Sequence, residues 1–238
     1  MKIFLAGASG AIGRPLVNLL RRTGHDVAGT TRSEESATAL RALGCEAVVV
    51  DVFDKAALER AVTTAKPDVV MHQLTALAAG SNPESLQQNA RLRREGTPNL
   101  VEAAVKAGAG RIIAQSIAWA YAPKTPPYRE DDPLDLDATG ARAVSVVQGV
   151  VPLENAVLSN KDIEGVVLRY GQLYGPGTWA ETPMGTSPVH VEAAAYAALL
   201  AIDHGRPGIY NITDPGSEAV SDKAVAELGW SYDFRVKT

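Results

Sequence analysis

The residues Gly7-Ala8-Ser9-Gly10-Ala11-Ile12-Gly13 follow the apolar run Ile3-Phe4-Leu5-Ala6 directly. A strand that ends in a glycine-rich turn and reopens as a helix offers a diphosphate both backbone N–H groups and the positive end of a helix. Gly7 permits the tight turn, Gly10 lets the backbone approach the phosphates, and Gly13 lets helix and strand pack closely. The chemistry expected of this segment is dinucleotide binding. A second feature qualifies it: none of the seven tyrosines is followed by a lysine four residues later.

The elements that must position this turn are legible as alternating patterns. Short apolar, β-rich runs stand at 2–6, 26–31, 46–50, 68–72, 111–115 and 165–169, and helix-compatible stretches at 14–23, 34–43, 55–65, 83–107 and 141–158. Alternation of this kind predicts a parallel sheet covered by helices on both faces. Two irregular stretches, the Pro-rich 122–127 and the Gly/Pro-containing 174–188, follow predicted strands. Both are expected over the carboxyl edge of the sheet, where open α/β sheets bind ligands.

Composition narrows the function classes. A chain of 238 residues with 46% hydrophobic content can bury a full core. A net charge of −4 argues against a nucleic-acid-binding face, and Arg91, Arg93 and Arg94 are surrounded by Glu84, Glu95 and Glu102. No apolar stretch is long enough to span a bilayer. Cys45 is the only cysteine, so no internal disulfide can form, and four histidines without ligand spacing give no metal site. A cytoplasmic protein with a small-molecule substrate, no nucleic-acid partner and no membrane partner is expected.

Further landmarks stand in order along the chain: Thr30-Thr31-Arg32, Asp51-Val52, His72-Gln73-Leu74-Thr75-Ala76, Glu95-Gly96-Thr97, Leu168-Arg169-Tyr170-Gly171, Tyr174-Gly175-Pro176-Gly177, Val189-His190-Val191-Glu192 and Glu227-Leu228-Gly229-Trp230. Together with the G-x-x-G-x-x-G turn, they resemble the extended short-chain dehydrogenase/reductases, the epimerase/dehydratase-like group. The resemblance implies an α/β, Rossmann-type doubly wound parallel sheet. It would comprise a nucleotide-binding domain over 1–170 and a small, shortened C-terminal substrate-binding part over 171–238, packed as one structural unit. It further implies that Ser9, Gly10, Ala11 and Ile12 wrap the pyrophosphate between Gly7 and Gly13. Asp51 would accept from the adenine amino group with Val52 beside the ring, and Leu74 and Thr75 would line the ribose and nicotinamide path. Asp51 could equally be a helix cap. The family's acidic position at the end of the second strand falls on Thr31, followed by Arg32. A guanidinium there suits a 2′-phosphate, so NADP(H) is expected over NAD(H).

Catalysis is where the chain departs from the resemblance. Aligned on Glu154, the tyrosine and lysine positions fall on Val146 and Val150, and the asparagine before Gly96-Thr97 is replaced by Arg93. Ser116 stands where the family's serine region begins, and Tyr121 reads either as a pocket-lining residue or as a replacement acid. These two are the candidate catalytic residues. Trp119, Gln172, Tyr174 and Trp179 are the candidate substrate pocket, an apolar or aromatic surface that favours a small compound over a sugar nucleotide. The expected function is an NADP(H)-binding reductase or epimerase/dehydratase-like enzyme acting on a small, largely apolar carbonyl compound. The alternative is a non-redox isomerase, cyclase or cofactor-sensing regulator that keeps only the nucleotide site. A homodimer through the fourth and fifth helices would be ordinary for the family.

Overall fold

The computed structural model describes residues 1–77 and 82–236. Its main sheet has seven strands in the order β3-β2-β1-β4-β5-β6-β9. These are β1 (Lys2–Ala6), β2 (Asp26–Thr31), β3 (Glu46–Val49), β4 (Val69–His72), β5 (Arg111–Ile117), β6 (Glu164–Tyr170) and β9 (Gly208–Ile212). Every pairing in it is parallel. The strand order reverses between β1 and β4, so a crevice opens there at the carboxyl edge. A small parallel pair, β7 (Gln172–Tyr174) with β8 (Pro188–His190), stands apart from the sheet. This is the doubly wound architecture that the sequence implied.

Helices cover both faces, and side-chain alternation along the strands decides what each face buries. Ile3 and Leu5 of β1 pack with α1 (Gly13–Arg22) and α8 (Val191–Leu200) in one core, while Phe4 and Ala6 point into the other. That second core holds α3 (Lys55–Ala65), α5 (Thr97–Lys106) and α7 (Val151–Leu158). The remaining helices are α2 (Glu34–Ala42), α4 (Pro83–Arg91), α6 (Gly140–Ser145) and α9 (Asp222–Leu228).

The two long helices expected over 83–107 and 141–158 are each interrupted. A π-helical turn at Leu92–Gly96 joins α4 to α5, and another at Val146–Val150 joins α6 to α7. Each is followed by a proline within the next two residues, Pro98 and Pro152. Proline lacks an N–H and crowds the preceding turn, which is consistent with the widened hydrogen-bonding pattern there.

Candidate functional site

The glycine turn is shaped by its contacts with the sheet. Gly7 has φ +93°, and a Cβ on it would lie 2.6 Å from the Gln73 carbonyl oxygen, so only glycine fits between β1 and the segment after β4. A Cβ on Gly13 would overlap the Gly7 carbonyl. At Gly10, by contrast, the nearest atom to such a Cβ is 3.3 Å away. That contact is tight but short of the overlaps at Gly7 and Gly13, so packing constrains Gly10 less than either, and Gly10 lines the cavity. Ile12 precedes α1 without a side-chain cap; Arg14 N and Leu16 N donate to the Gly10 and Ile12 carbonyls at 3.1 Å and Pro15 has no N–H, so what α1 offers an anion is the positive end of the helix rather than a full set of free first-turn N–H groups. Arg14 Nε steadies the turn by donating to the Ser9 carbonyl at 2.9 Å.

A cavity of about 1240 Å³ runs from this turn over the carboxyl ends of β1, β4, β5 and β6. It brings together Gly7, Ser9, Gly10, Ala11, Arg32, Asp51, Val52, Leu74, Thr75, Ser116, Trp119, Gln172 and Trp179 from the sequence-predicted set. Ile12 and Gly13 are buried behind the turn. The helix-cap role considered for Asp51 belongs to Asp54, whose carboxylate accepts from Ala57 N; Asp51 Oδ1 instead accepts from Phe53 N at 2.9 Å. Buried polar groups also line the cavity: the Gln73 amide and the Tyr170 hydroxyl lie beside each other, and neither makes a well-formed hydrogen bond to the rest of the described residues. A glycine cradle, an uncapped helix start and unsatisfied polar groups on one cavity fit a bound dinucleotide.

Two predicted residues do not reach the cavity. Tyr121 is buried behind β5, donates to Asn211 Oδ1 at 2.6 Å, stacks on Tyr128 at 5.3 Å and carries the Arg169 guanidinium over its ring. Burial pushes its phenol pKa up, which makes it a poorer proton exchanger. Tyr174 donates to Asp214 Oδ2 at 2.7 Å and meets His190 edge-on. Neither residue is among those lining the cavity. Val146 and Val150 are fully buried apolar residues, and neither can move a proton.

Ser116 lies on the cavity, but its proton is committed. Its Oγ donates to Glu154 Oε1 at 2.7 Å, and the same carboxylate receives Arg169 through both oxygens at 2.9 and 2.7 Å. All three residues are buried. The serine oxygen therefore presents lone pairs to the cavity rather than a donor. His72, also fully buried, accepts from Leu74 N at Nδ1 and donates from Nε2 to Thr97 Oγ1 at 3.0 Å. Burial and the nearby Arg93 lower its pKa to about 4, so it is a neutral structural imidazole at physiological pH.

Two residues that shape the site, Asn89 and Gln115, carried no sequence signal, and Arg93 was legible only as a departure from the family's asparagine. Asn89 Oδ1 receives both Thr75 Oγ1 and Ala76 N, holding the segment after β4, and Gln115 Nε2 donates to the Leu74 carbonyl. Arg93 lines the cavity while being only 4% exposed. No spacing rule points to any of these, because their partners come from other elements.

Residues 3–188 match the model of the NAD dependent epimerase/dehydratase family. The chain belongs to this family. The resemblance read from the motifs, the fold and the enzyme class are thereby confirmed, and the sensor alternative is set aside. A Streptomyces protein named 3-diazoavenalumate denitrifying reductase is 43% identical over 237 residues, covering 90% of this chain and 76% of that protein. Among solved structures, UDP-glucose 4-epimerase from Thermotoga maritima with UDP-glucose has a TM-score of 0.79 at 18% identity, covering 99% of this chain and 94% of that one. MoeE5 in complex with UDP-glucuronic acid and NAD has a TM-score of 0.77 at 20% identity, covering 99% and 95%.

These findings overturn two expectations. A small, largely apolar carbonyl substrate matches none of these relatives, which hold nucleotide sugars or are named for a diazo acid. The cavity explains why. Arg14, Arg32, Arg91 and Arg93 line it against the single carboxylate of Asp51 among its described lining residues, and Ser116 offers no donor to a carbonyl oxygen. The preference for NADP over NAD is likewise overturned, because the family is NAD dependent and the MoeE5 structure holds NAD. Arg32 is exposed, and no hydrogen bond or ion pair to the described residues fixes its guanidinium over the ribose position. A solvent-exposed arginine there imposes no requirement for a 2′-phosphate. None of the described helices is long and apolar enough to cross a membrane.

Proposed function

We propose that the chain is an NADH-dependent reductase that removes the diazo group of an arenediazonium acid as dinitrogen. The observation that carries this reading is the pair of buried valines, Val146 and Val150, at the positions where a proton-exchanging pair would stand. Reduction of a carbonyl, or oxidation of a sugar hydroxyl, moves a proton with the hydride. A diazonium group is already cationic and accepts hydride without one. Alkyl diazonium ions lose nitrogen unaided, so a diazonium that survives to be bound is attached to an arene.

When bound, the nicotinamide supplies the hydride: R–N₂⁺ gains H⁻ to give R–N=N–H, which releases N₂ and leaves R–H, the dinucleotide losing the two electrons that the diazo group gains. The chain's own residues bind and orient. Ser9, Gly10, Ala11 and Ile12, with the start of α1, hold the pyrophosphate between Gly7 and Gly13; Asp51 and Val52 receive the adenine; Leu74 and Thr75, positioned by Asn89, flank the ribose and nicotinamide. Ser116 offers an acceptor oxygen, which suits a cationic electrophile, while Trp119 and Trp179 supply flat surface for an arene. The 43% identity to a denitrifying reductase supports the same assignment.

The test is to incubate the purified protein with NADH and a carboxylated arenediazonium salt carrying labelled nitrogen. One labelled dinitrogen released per NADH oxidised is expected, with no free phenol formed by hydrolysis. NADH oxidation without nitrogen release, or no oxidation at all, overturns the reading.

A further inference from the structure

Arg93 is a buried cation without a matching anion. It lies in the π-helical turn between α4 and α5, is 4% exposed, and its Nε has no hydrogen-bond partner. No carboxylate among the described residues comes within ion-pair distance of it; Glu154, the acid that influences it, is already taken by Arg169. The other titratable group beside it, His72, is neutral. Burial lowers the Arg93 pKa only to about 10, so the guanidinium stays charged at neutral pH. A charge desolvated this far is costly unless something pairs with it.

The surroundings make room for the arginine. A Cβ on Gly149, in the facing π-helical turn, would lie 3.3 Å from Arg93 Cδ and 3.5 Å from Ala90 Cα. The bare backbone of Gly149 thus accommodates the arginine stem, and Arg93 lines the same cavity as Ser116 and Gly10. Its electrostatic neighbours are His72 at the end of β4 and Glu154 on α7, not the residues of the glycine turn. Gly149, against which the arginine stem packs, belongs to the same turn as Val146 and Val150, the positions of the missing proton-exchanging pair, so the charge stands beside the reaction site rather than beside the glycine turn.

We propose that Arg93 seats the carboxylate of the substrate, pairing with it through the guanidinium fork. The choice of diazo acid as substrate rests on the function proposed above; the carboxylate seat does not. A fork of planar donors fits a carboxylate in a way that a point charge does not. The seat fixes the acid end of the substrate and thereby selects aryl acids over their neutral analogues.

Calorimetry with the protein–NADH complex tests this without turnover, using cinnamate and its neutral isostere cinnamamide as probes. The wild-type complex is expected to bind cinnamate and to bind cinnamamide about 10- to 100-fold more weakly. In Arg93→Gln this preference disappears, Arg93→Lys recovers part of it, and NADH affinity stays within about twofold of wild type. Removing an unpaired buried cation should leave thermal stability unchanged or raised. Gly149→Ala, which crowds the arginine stem while keeping its charge, should weaken cinnamate binding alone. Equal binding of acid and amide by the wild type, or loss of NADH affinity in Arg93→Gln, overturns the proposal. Arg93-dependent acid binding without dinitrogen release would leave the seat standing and remove the diazo reading instead.

Discussion

Ser116 Oγ donates its proton to Glu154 Oε1 at 2.7 Å, and that bond changes what a serine at the end of β5 can do. Glu154 is held in turn by Arg169 on β6, so the serine, the acid and the arginine form one buried unit linking β5, α7 and β6. Glu154→Gln should destabilise the fold by about 3–5 kcal/mol, because Arg169 would lose the one carboxylate that pairs with it among the described residues. Ser116→Ala should cost less, about 1.5–3 kcal/mol for a hydrogen bond to a charged group. Urea denaturation of the two variants would show the order; equal losses would mean that the ion pair contributes nothing beyond the serine bond.

The glycines of the turn separate binding from folding. Gly10→Val places its side chain toward the cavity and should lower NADH affinity by at least about tenfold, roughly 1.4 kcal/mol, while the unfolding midpoint changes little. Gly13→Ala overlaps the Gly7 carbonyl and should unfold or strongly destabilise the protein. Fluorescence titration with NADH and a thermal melt on each variant distinguish the two effects. A Gly10→Val protein that binds NADH normally would remove the turn from the cofactor site.

Burial of neutral His72 gives stability a definite pH dependence. Its pKa in the folded protein is about 4, against 6.5 in the unfolded chain. Above pH 6.5 both states are neutral and stability is full. As pH falls from 6.5 toward 4, the unfolded chain takes up a proton that the folded protein refuses, and about 3 kcal/mol of stability drains away. His72→Gln, which keeps a donor for Thr97, should flatten that slope in urea titrations across the window. An unchanged slope would assign it to other groups.

Tyr121 is expected to be dispensable for chemistry. Tyr121→Phe removes the bond to Asn211 and leaves a buried acceptor short of a donor, a cost of about 1–3 kcal/mol. The rate of NADH oxidation at saturating substrate should be unchanged at temperatures where the variant is folded. A rate drop of tenfold or more would return Tyr121 to the candidate proton donors.

The sequence was informative wherever a local pattern carries the physics. β1, the glycine turn and the start of α1 are contiguous, so their joint chemistry could be read directly. The valines at 146 and 150 could be read as an absence because the tyrosine–lysine spacing is also local. What could not be read were contacts closed by the fold. Tyr121 looked exposed to substrate because its real partners, Asn211 on β9 and Arg169 on β6, lie far along the chain. Arg93 was visible as a departure from asparagine, but its burial depends on Gly149 in another helix pair. The π-helical turns were invisible as well, since 83–107 and 141–158 have ordinary helical composition.

Those two turns face each other, one carrying Arg93 and the other carrying Gly149 and both valines. Each holds one residue more than a plain helical turn would. Deleting a single residue from 146–150 would return the segment to regular winding with α6 and α7 still roughly in line, and would remove the widened turn that places Gly149 against Arg93. The stem of Arg93 would lose its bare-backbone neighbour, while α7 and Glu154 stayed in place. In this chain, the count of residues in the turn matters to the site as much as their identity, and insertions or deletions there should be tolerated far less well than substitutions.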